Sequence, residues 1–425
     1  QSFPARYFAM VDEFQAQQDV FRQEAEQLDR EREEKKLSDI CEFITVGIAN
    51  SATHAYRDTG VVMFRNQNIK ENHLDTSSLM HIDSEYEKRY EKKRLKAYDL
   101  LVVRTGYPGV ACLVPPEYEG AQTFTTLIVR LIEDTNVPEY VCQYINSPLG
   151  KYYFETTQIG GGQKNIGTGI LEEFPINIPS LPEQYKIAKF LSTIDMVIEK
   201  QKETVTAWKE RKKGVMQKLF SQEVRFKADD GSEFPEWEEK KIDDIATCFS
   251  GATPSTKIPE YWDNGTIQWM SSGEVNNGQI YETEKRISQL GFDKCSTKMV
   301  KPNTVVMALA GQGKTRGMVA ITRVPLCTNQ SLCAIETNDD VWDDYLYQYL
   351  QTQYNNLRLI SSGDGTRGGL NLKLVGGYVV SMPCFIEQQK IVACLSALDD
   401  VIEKKKATLA AWEELKKGLL QQMFV

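Results

Sequence analysis

The chain carries the stretch EQYKIAKFLSTIDMVIEKQKETVTAWKERKKGVMQKLF (residues 183–220) and repeats it as EQQKIVACLSALDDVIEKKKATLAAWEELKKGLLQQMF (residues 387–424). The two copies align without a gap and share about half of their residues, which indicates an internal duplication. Conspicuous residues recur at equivalent positions: Asp195 with Asp399, Trp208 with Trp412, and Gly214 with Gly418.

Apolar residues recur at alternating spacings of four and three in both copies. They are Ile187, Leu191, Ile194, Ile198, Val205, Trp208, Val215 and Leu219 in the first copy, and Ile391, Leu395, Leu398, Ile402, Leu409, Trp412, Leu419 and Met423 in the second. Polar residues interrupt the two stripes at the same places: Gln201 and Lys212, and Lys405 and Lys416. This period predicts coiled-coil helices, and shared polar interruptions fix the register of such a pair. The simplest partner of each helix is the other, packed antiparallel. The alternative is that each helix packs only on its own domain, which normally needs a broader apolar face.

The duplication extends upstream of each helix in weaker form. Three pairs of segments correspond: KKLSDI (35–40) with KKIDDI (240–245), LLVVRTGYPGVACLVP (100–115) with VVMALAGQGKTRGMVAITRVP (305–325), and GGGQKNI (160–166) with GDGTRGGLNL (363–372). Strands are predicted at residues 61–64, 100–103, 127–131 and 305–308, and tyrosine-rich helices at residues 138–148 and 343–357. We therefore expect an α+β fold in which two mixed α/β domains, related by pseudo-twofold symmetry, are separated by a long antiparallel two-helix coiled coil.

The repeat divides the chain into six predicted segments. They are an N-terminal helical extension (1–34), a first domain (35–180), a first long helix (181–222), a linker (223–236), a second domain (237–382) and a second long helix (383–425).

Composition limits the classes of function. With 41% hydrophobic and 26% charged residues among 425, the chain is typical of a soluble globular protein with more than one domain. No apolar run is long enough to span a membrane, and QSFPARYFAM lacks the pattern of a signal peptide, so a cytoplasmic protein is expected. The nine cysteines are scattered and form no CxxC pair, which favours reduced thiols over a zinc site. The net charge of −9 argues against DNA binding by bulk electrostatics.

No pattern of catalytic residues stands out. ALAGQGKT (308–315) fits a relaxed phosphate-binding loop, but such a loop needs a helix immediately after the threonine. The sequence that follows predicts a turn and a strand, so a hairpin is expected. His54, His73 and His81 all lie in the first domain, and the second has no counterparts. We expect no catalytic residue and no metal site.

The order of a variable domain and a well-matched helix, twice over, resembles the specificity subunits of type I restriction-modification systems. The motifs that carry the resemblance are LPEQYKIAKFLSTIDMVIEK (181–200), IEQQKIVACLSALDDVIEK (386–404), the segment 225–246 and the two glycine-rich loops. The resemblance covers roughly residues 35–425. It implies that each domain is a target-recognition domain for one half of a bipartite site in double-stranded DNA, and that the helices set the spacing between the halves. It also implies that two methyltransferase subunits dock on the chain and that restriction and translocase subunits join the complex. S-adenosylmethionine, ATP and magnesium would be used by those other subunits.

Candidate DNA contacts are polar residues in loops that recur in both domains, because Arg and Lys recognise guanine, Asn and Gln recognise adenine, and all of them can hold phosphate. They are Arg104, Gln163, Lys164 and Asn165 in the first domain, and Lys314, Arg316, Arg367 and Asn371 in the second. For each of them an ordinary surface role is an open alternative. The basic run KRYEKKR (88–94) is interleaved with acids and is expected to be a solvated helix face.

Two questions stay open at this point. Residues 1–34 depart from the resemblance, because a charged helix replaces a segment like 225–237. It would pack on the long helices or on a methyltransferase subunit, or form a solvated tail. The alternative function is a coiled-coil scaffold whose two domains bind protein or carbohydrate. A nucleotide-hydrolysing enzyme is the third hypothesis.

Overall fold

The computed structural model describes residues 32–50, 52–157, 165–311, 313–361 and 369–424. This part of the chain divides into two compact units, residues 32–203 with 406–424, and residues 204–405. Most of the predicted N-terminal extension (1–34) lies outside the described residues. Each long helix contributes residues to both units, so the units do not coincide with the segments predicted from the sequence.

In its described residues the first unit contains twelve strands, five α-helices and residues 406–424 of the second long helix; the fifth helix continues into the second unit. The strands are β1 (Glu33–Lys36), β2 (Cys41–Val46), β3 (Tyr56–Arg57), β4 (Val61–Arg65), β5 (Ile69–Lys70), β6 (His73–Leu74), β7 (Met80–Ile82), β8 (Leu100–Val102), β9 (Ala111–Leu113), β10 (Gln122–Phe124), β11 (Leu127–Leu131) and β12 (Pro175–Ile178). The helices are α1 (Ser84–Glu87), α2 (Pro138–Ile145), α3 (Pro148–Thr157), α4 (Thr168–Glu172) and α5 (Leu181–Phe220). Short 3-10 helices span Leu37–Ile40, Thr53–Ala55, Asn66–Asn68, Lys88–Lys93 and Pro116–Tyr118.

The second unit is built to the same plan. Its strands are β13 (Glu238–Lys241), β14 (Ala246–Ser250), β15 (Ile267–Met270), β16 (Gln279–Ile280), β17 (Lys285–Ile287), β18 (Met299–Val300), β19 (Val305–Ala308), β20 (Val319–Thr322), β21 (Leu326–Thr328), β22 (Leu332–Thr337) and β23 (Val379–Met382). Its helices are α6 (Ile242–Ile245), α7 (Gln289–Asp293), α8 (Asp343–Thr352), α9 (Tyr354–Ile360), α10 (Leu372–Gly376) and α11 (Phe385–Phe424), with 3-10 helices at Pro259–Tyr261 and Ser272–Asn277.

Each unit has two main sheets, and the sheets of the second unit differ from those of the first by an added strand, β16, that pairs parallel with β20. In the first unit an antiparallel sheet has the order β2-β11-β8-β9, and a mixed sheet has the order β10-β4-β7-β3. The corresponding sheets of the second unit are β14-β22-β19-β20-β16 and β17-β15-β21-β18. An antiparallel pair, β1 with β12 or β13 with β23, joins the start of each domain to the strand that precedes its long helix. The predicted α+β class is confirmed.

The central strands are buried on both faces, which accounts for their continuous apolar sequence. Leu100 and Val102 of β8 face a core that includes helix residues, whereas Leu101 and Val103 face a second core that contains Phe64. This is the period of two that a strand imposes on its side chains. In the second unit the residues of β19 divide in the same way between two cores.

The long helices run antiparallel within each unit. In the first unit, Asp195 pairs with Lys416 at 2.5 Å and Lys202 pairs with Glu413 at 3.8 Å, so positions rise along one helix as they fall along the other. In the second unit, Met216 and Leu219 of α5 share a core with Ile391 and Leu395 of α11.

Most of the residues predicted for the helix interface belong to cores that contain both domain residues and residues of the other long helix. Ile187, Leu191, Ile194 and Ile198 are buried in one core with residues of the first domain and with Trp412 of α11. Ile391 and Leu395 are buried with residues of the second domain, and Leu398 packs at the margin of that core. Val205 and Ile402 are also buried, and Leu409 packs at the margin of the first core. Trp208 is half-buried, with the guanidinium of Arg211 5.0 Å from its ring centre. Each helix therefore packs both on a domain and on the other helix.

Candidate nucleic-acid interface

In the first unit, three loops leave the antiparallel sheet at one edge. Val46 at the end of β2 pairs with Leu127 at the start of β11, and Leu127 pairs with Val102 at the end of β8. Antiparallel neighbours begin where their partners end. The loop after β2, the loop before β11 and the hairpin loop between β8 and β9 therefore meet, and we call their meeting place the first edge.

Asn66 connects the loops of the first edge. Its Nδ2 donates to the carbonyl oxygen of Thr105 at 3.3 Å and to Thr105 Oγ1 at 2.9 Å, while its Oδ1 accepts from Thr126 Oγ1 at 3.1 Å. The Tyr107 hydroxyl donates to the carbonyl oxygen of Asn66 at 2.7 Å. The hairpin loop is thus held by a residue that sequence reasoning did not select, since an asparagine between two strands gives no signal of its own.

The structure brings two predicted contact residues of the first domain together at this edge. Arg104 Nε donates to Asn165 Oδ1 at 3.2 Å, and Thr105 forms an isolated antiparallel bridge with Asn165. Both Arg104 and Asn165 are half-buried. A guanidinium has five N–H donors, so this bond orients the group and leaves donors for a ligand. Gln163 and Lys164 lie outside the described residues.

The second unit forms the equivalent edge from different residues. Ser250 at the end of β14 pairs with Cys333 of β22, and Leu332 at the start of β22 pairs with Ala308 at the end of β19. The loop after β14, residues 329–331 and the described residues of the hairpin loop (309–311 and 313–318) therefore meet at what we call the second edge. Thr253 Oγ1 donates to Gln330 Oε1 across it at 2.6 Å.

The segment that resembles a phosphate-binding loop is a hairpin, as predicted. β19 and β20 pair antiparallel on either side of it, and residues 313–317 form turns rather than a helix. The described part of this loop therefore lacks the helix N-terminus that would hold a nucleotide phosphate.

The predicted residues of the second domain differ in their surroundings. Lys314 is exposed at the tip of the hairpin, and Arg316 is half-buried. Asn371 is exposed, but its Oδ1 caps helix α10 by accepting from the Leu374 amide at 2.9 Å, so its oxygen has a structural role. Arg367 lies outside the described residues.

Helix α9 holds the hairpin of the second edge through two side chains. The Tyr354 hydroxyl donates to the carbonyl oxygen of Lys314 at 2.7 Å, and Arg358 Nη1 donates to the carbonyl oxygen of Gly313 at 2.7 Å. Arg358 also donates to the Tyr354 hydroxyl at 3.1 Å and lies 5.5 Å from the centre of its ring. Sequence reasoning missed both residues because they contact the loop across about 40 positions of the chain.

The basic run 88–94 is partly a solvated face, as expected, and partly structural. Arg89 and Lys92 are exposed. Lys93 Nζ donates to the carbonyl oxygens of Val46 and Gly47 at 2.7 and 3.0 Å, at the first edge.

The last residue of the run, Arg94, binds a buried carboxylate. It donates to both oxygens of Glu87, at 2.8 and 2.7 Å. These hydrogen bonds lower the pKa of Glu87, so the carboxylate is ionised at neutral pH.

No group of three or more His, Cys, Asp or Glu side chains in the described residues could hold a metal ion. His54 packs edge-on against Tyr86, with ring centres 5.0 Å apart. Burial raises the pKa of the Cys41 thiol to about 12 and raises that of Cys112 as well, so both are protonated thiols at neutral pH. Among the described helices, none is both long and apolar enough to cross a membrane.

The outer faces of the long helices form a second candidate surface. Several residues there are identical in the two copies and are exposed or half-exposed: Glu199 and Glu403, Glu210 and Glu414, Lys213 and Lys417, Gly214 and Gly418, and Gln217 and Gln421. A Cβ atom at either glycine would meet nothing within 4 Å. Glycine in a helix interior is unfavourable by about 1 kcal/mol relative to alanine. Packing within the described chain therefore gives no reason for a glycine at these two positions.

Comparisons with known proteins agree with this architecture. A family model described as the type I restriction modification DNA specificity domain matches residues 30–207 and 235–411. The MjaIX specificity subunit of Methanocaldococcus jannaschii is 33% identical over 211 residues, 48% of this chain, and the match spans about half of that protein's length. The putative MjaX specificity subunit of the same organism is 23% identical over 96% of each chain. The crystal structure of a type I S subunit from M. genitalium has a TM-score of 0.56 at 15% identity, covering 94% of this chain and 97% of that one, a likeness of fold.

Proposed function

Because the chain belongs to the family of type I restriction modification DNA specificity domains, we propose that it is the DNA sequence-specificity subunit of a type I restriction-modification complex. Each domain reads one half of a bipartite site in double-stranded DNA. The observation that carries this proposal is the pair of equivalent sheet edges, where one scaffold presents different loop residues in each unit. Two copies of one surface that present different side chains suit a DNA site whose two halves differ in sequence.

The chemistry of the two edges fits base and phosphate recognition. Arg104 is oriented by Asn165 at the first edge. Lys314 is exposed at the second edge, on a hairpin whose main chain is hydrogen-bonded to Tyr354. Arginine and lysine can donate to guanine O6 and N7 or to phosphate oxygens. The predicted contacts Gln163, Lys164 and Arg367 belong to the glycine-rich loops and remain part of the proposal.

The outer helix faces support docking of two methyltransferase subunits. If one methyltransferase subunit docks on each long helix, both subunits contact the same residues. This would account for the identical exposed residues of two helices that differ at about half of their positions. In this proposal restriction and translocase subunits complete the assembly in the cytoplasm. S-adenosylmethionine, ATP and magnesium are bound by those partners, and the chain itself is non-catalytic.

The net charge of −9 sets an expectation for affinity. Non-specific DNA affinity comes largely from phosphate neutralisation, for which an acidic chain has few groups to spare. Specific binding is therefore expected to strengthen greatly once the methyltransferase subunits are added.

The test is a reconstitution. The chain is purified alone and with the methyltransferase subunit of the same restriction-modification system, and the methylated sites of the source genome identify the DNA duplex to use. We expect methylation and tight specific binding only with both proteins present. Methyl transfer by the chain alone, or equal affinity with and without the partner, would refute the proposal. Binding of a protein or carbohydrate in place of DNA would favour the alternative function, a coiled-coil scaffold with two binding domains.

A further inference from the structure

We infer that Tyr354 and Arg358 are positioning residues that fix the recognition hairpin of the second domain without themselves contacting DNA. This inference rests on the proposed function and assigns part of the specificity for one half-site to a pair of side chains on helix α9.

The first step is the geometry of the contact. Tyr354 and Arg358 lie one turn apart on α9, on the same face of the helix. Their donors reach the carbonyl oxygens of two successive residues, Lys314 and Gly313, each at 2.7 Å. Holding two neighbouring peptide groups fixes the direction of the main chain at the point where the Lys314 side chain leaves it.

The second step is the conformation of the turn. Gly313 and Gly317 have φ values of +85° and +81°, in the left-handed region that glycine adopts readily. Gly317 lies against α9, where an added Cβ would be 3.4 Å from Leu357 Cβ. A hairpin with two such glycines has many accessible conformations when free. Anchoring to α9 therefore selects one of them.

The third step is the comparison with the first domain. There Gly109 of the hairpin also lies against a helix, because an added Cβ would be 2.4 Å from Phe154 Cδ2 of α3. The polar anchor comes instead from Asn66, which binds Thr105. Both hairpins are thus anchored from outside the loop, by unrelated residues. This recurrence favours a functional need for a fixed loop over a chance contact.

The experiment uses the chain assembled with its methyltransferase partner. Tyr354→Phe keeps the ring and removes the hydroxyl. Arg358→Lys keeps the charge and loses the planar donor. Affinity is measured for the cognate duplex and for duplexes altered in one half-site at a time, over a range of salt concentrations. Loss of one hydrogen bond to the hairpin should reduce discrimination at the second half-site about threefold to tenfold. Discrimination at the first half-site and the salt dependence should not change, because no charge is lost.

Matched controls separate the outcomes. Tyr281→Phe removes a tyrosine hydroxyl whose partner is Gln279, away from the hairpin, and should have no effect. Asn66→Ala should reduce discrimination at the first half-site only. Arg358→Met distinguishes a positioning role from a phosphate contact, because a direct contact would lower the slope of log affinity against log salt by about one.

Three results would overturn the inference: unchanged discrimination in Tyr354→Phe and Arg358→Lys, an equal loss at both half-sites, or a salt slope lowered in Arg358→Met. Lys314→Ala reports on the proposed function separately. If Lys314→Ala weakens binding and Tyr354→Phe does not, the interface stands and the positioning role fails. If none of these variants, Lys314→Ala included, alters DNA binding, the proposed interface itself is wrong.

Discussion

Lys416 Nζ lies 2.5 Å from Asp195 Oδ1, and the same aspartate accepts a hydrogen bond from Gln143 Nε2 of α2 at 2.7 Å. The second unit repeats this arrangement. Lys212 lies 2.8 Å from Asp399, and Gln348 Nε2 of α8 donates to Asp399 at 3.3 Å. Lys212 and Lys416, two of the residues that interrupt the apolar stripes, therefore pair with the aspartates that recur in the two copies, and a glutamine of each domain joins each pair.

These pairs are expected to set the register of the helices. The side chains of Lys416 and Asp195 are 15% and 30% exposed, so reversing one charge leaves two like charges in a largely desolvated place. We predict that Asp195→Lys destabilises the chain by about 2–4 kcal/mol, and that adding Lys416→Asp restores most of the loss. Denaturant unfolding of both variants and the parent measures this. If the double variant has no higher free energy of unfolding than Asp195→Lys, the two side chains contribute no interaction energy to stability.

Gly214 and Gly418 provide a test of partner docking. A Cβ atom at either position would meet open space, so Gly214→Ala is expected to stabilise the free chain by up to about 1 kcal/mol through helix propensity. If a methyltransferase subunit packs closely on this face, the same change should weaken its binding. Thermal unfolding of the chain alone and titration with the partner measure the two effects separately. Gly418→Ala should behave in the same way at the second helix, and unimpaired binding by both variants would exclude close packing at the glycines.

Much of this fold can be predicted from the sequence because its signals are local or repeated. The apolar stripes predict the long helices, and the duplication predicts that both domains share one plan. The hairpin at residues 309–318 follows from the strand-like sequence after Thr315.

The details of the candidate site could not be predicted in the same way. Tyr354 reaches Lys314, and Asn66 reaches Thr105, only through tertiary packing that no periodicity encodes. Residue type and loop position predict Asn371 as a DNA contact, but both are the same for a residue that caps a helix. The loops also differ most between the two copies, so the repeat gives least information where recognition is proposed.

The proposal that each domain recognises one half-site can be tested by exchanging one domain. Replacing the first domain with that of a homologous chain should change one half-site and leave the other intact. The exchanged segment should begin at residue 33 and include β12, because β1 pairs with β12 and the two strands should come from one parent. Methylome sequencing of cells that carry the hybrid subunit reads the result. Changes in both half-sites would contradict one domain for each half.

The last prediction concerns the spacer between half-sites. The helices are continuous through residues 203–204 and 405–406, where each passes from one unit to the other. Inserting one heptad into each helix, after Glu203 and after Ala407, keeps the apolar stripe in phase and adds about 10 Å of helix. If helix length sets the distance between half-sites, the preferred spacer should grow by about three base pairs. The insertion also rotates one half-site around the duplex by a quarter turn or more, so a loss of affinity is expected as well. The methylated sites of cells that carry the variant report the spacer directly, with an insertion of seven residues in the exposed linker near Asp230 as the control. Methylated sites with the original separation would show that helix length does not set the spacer.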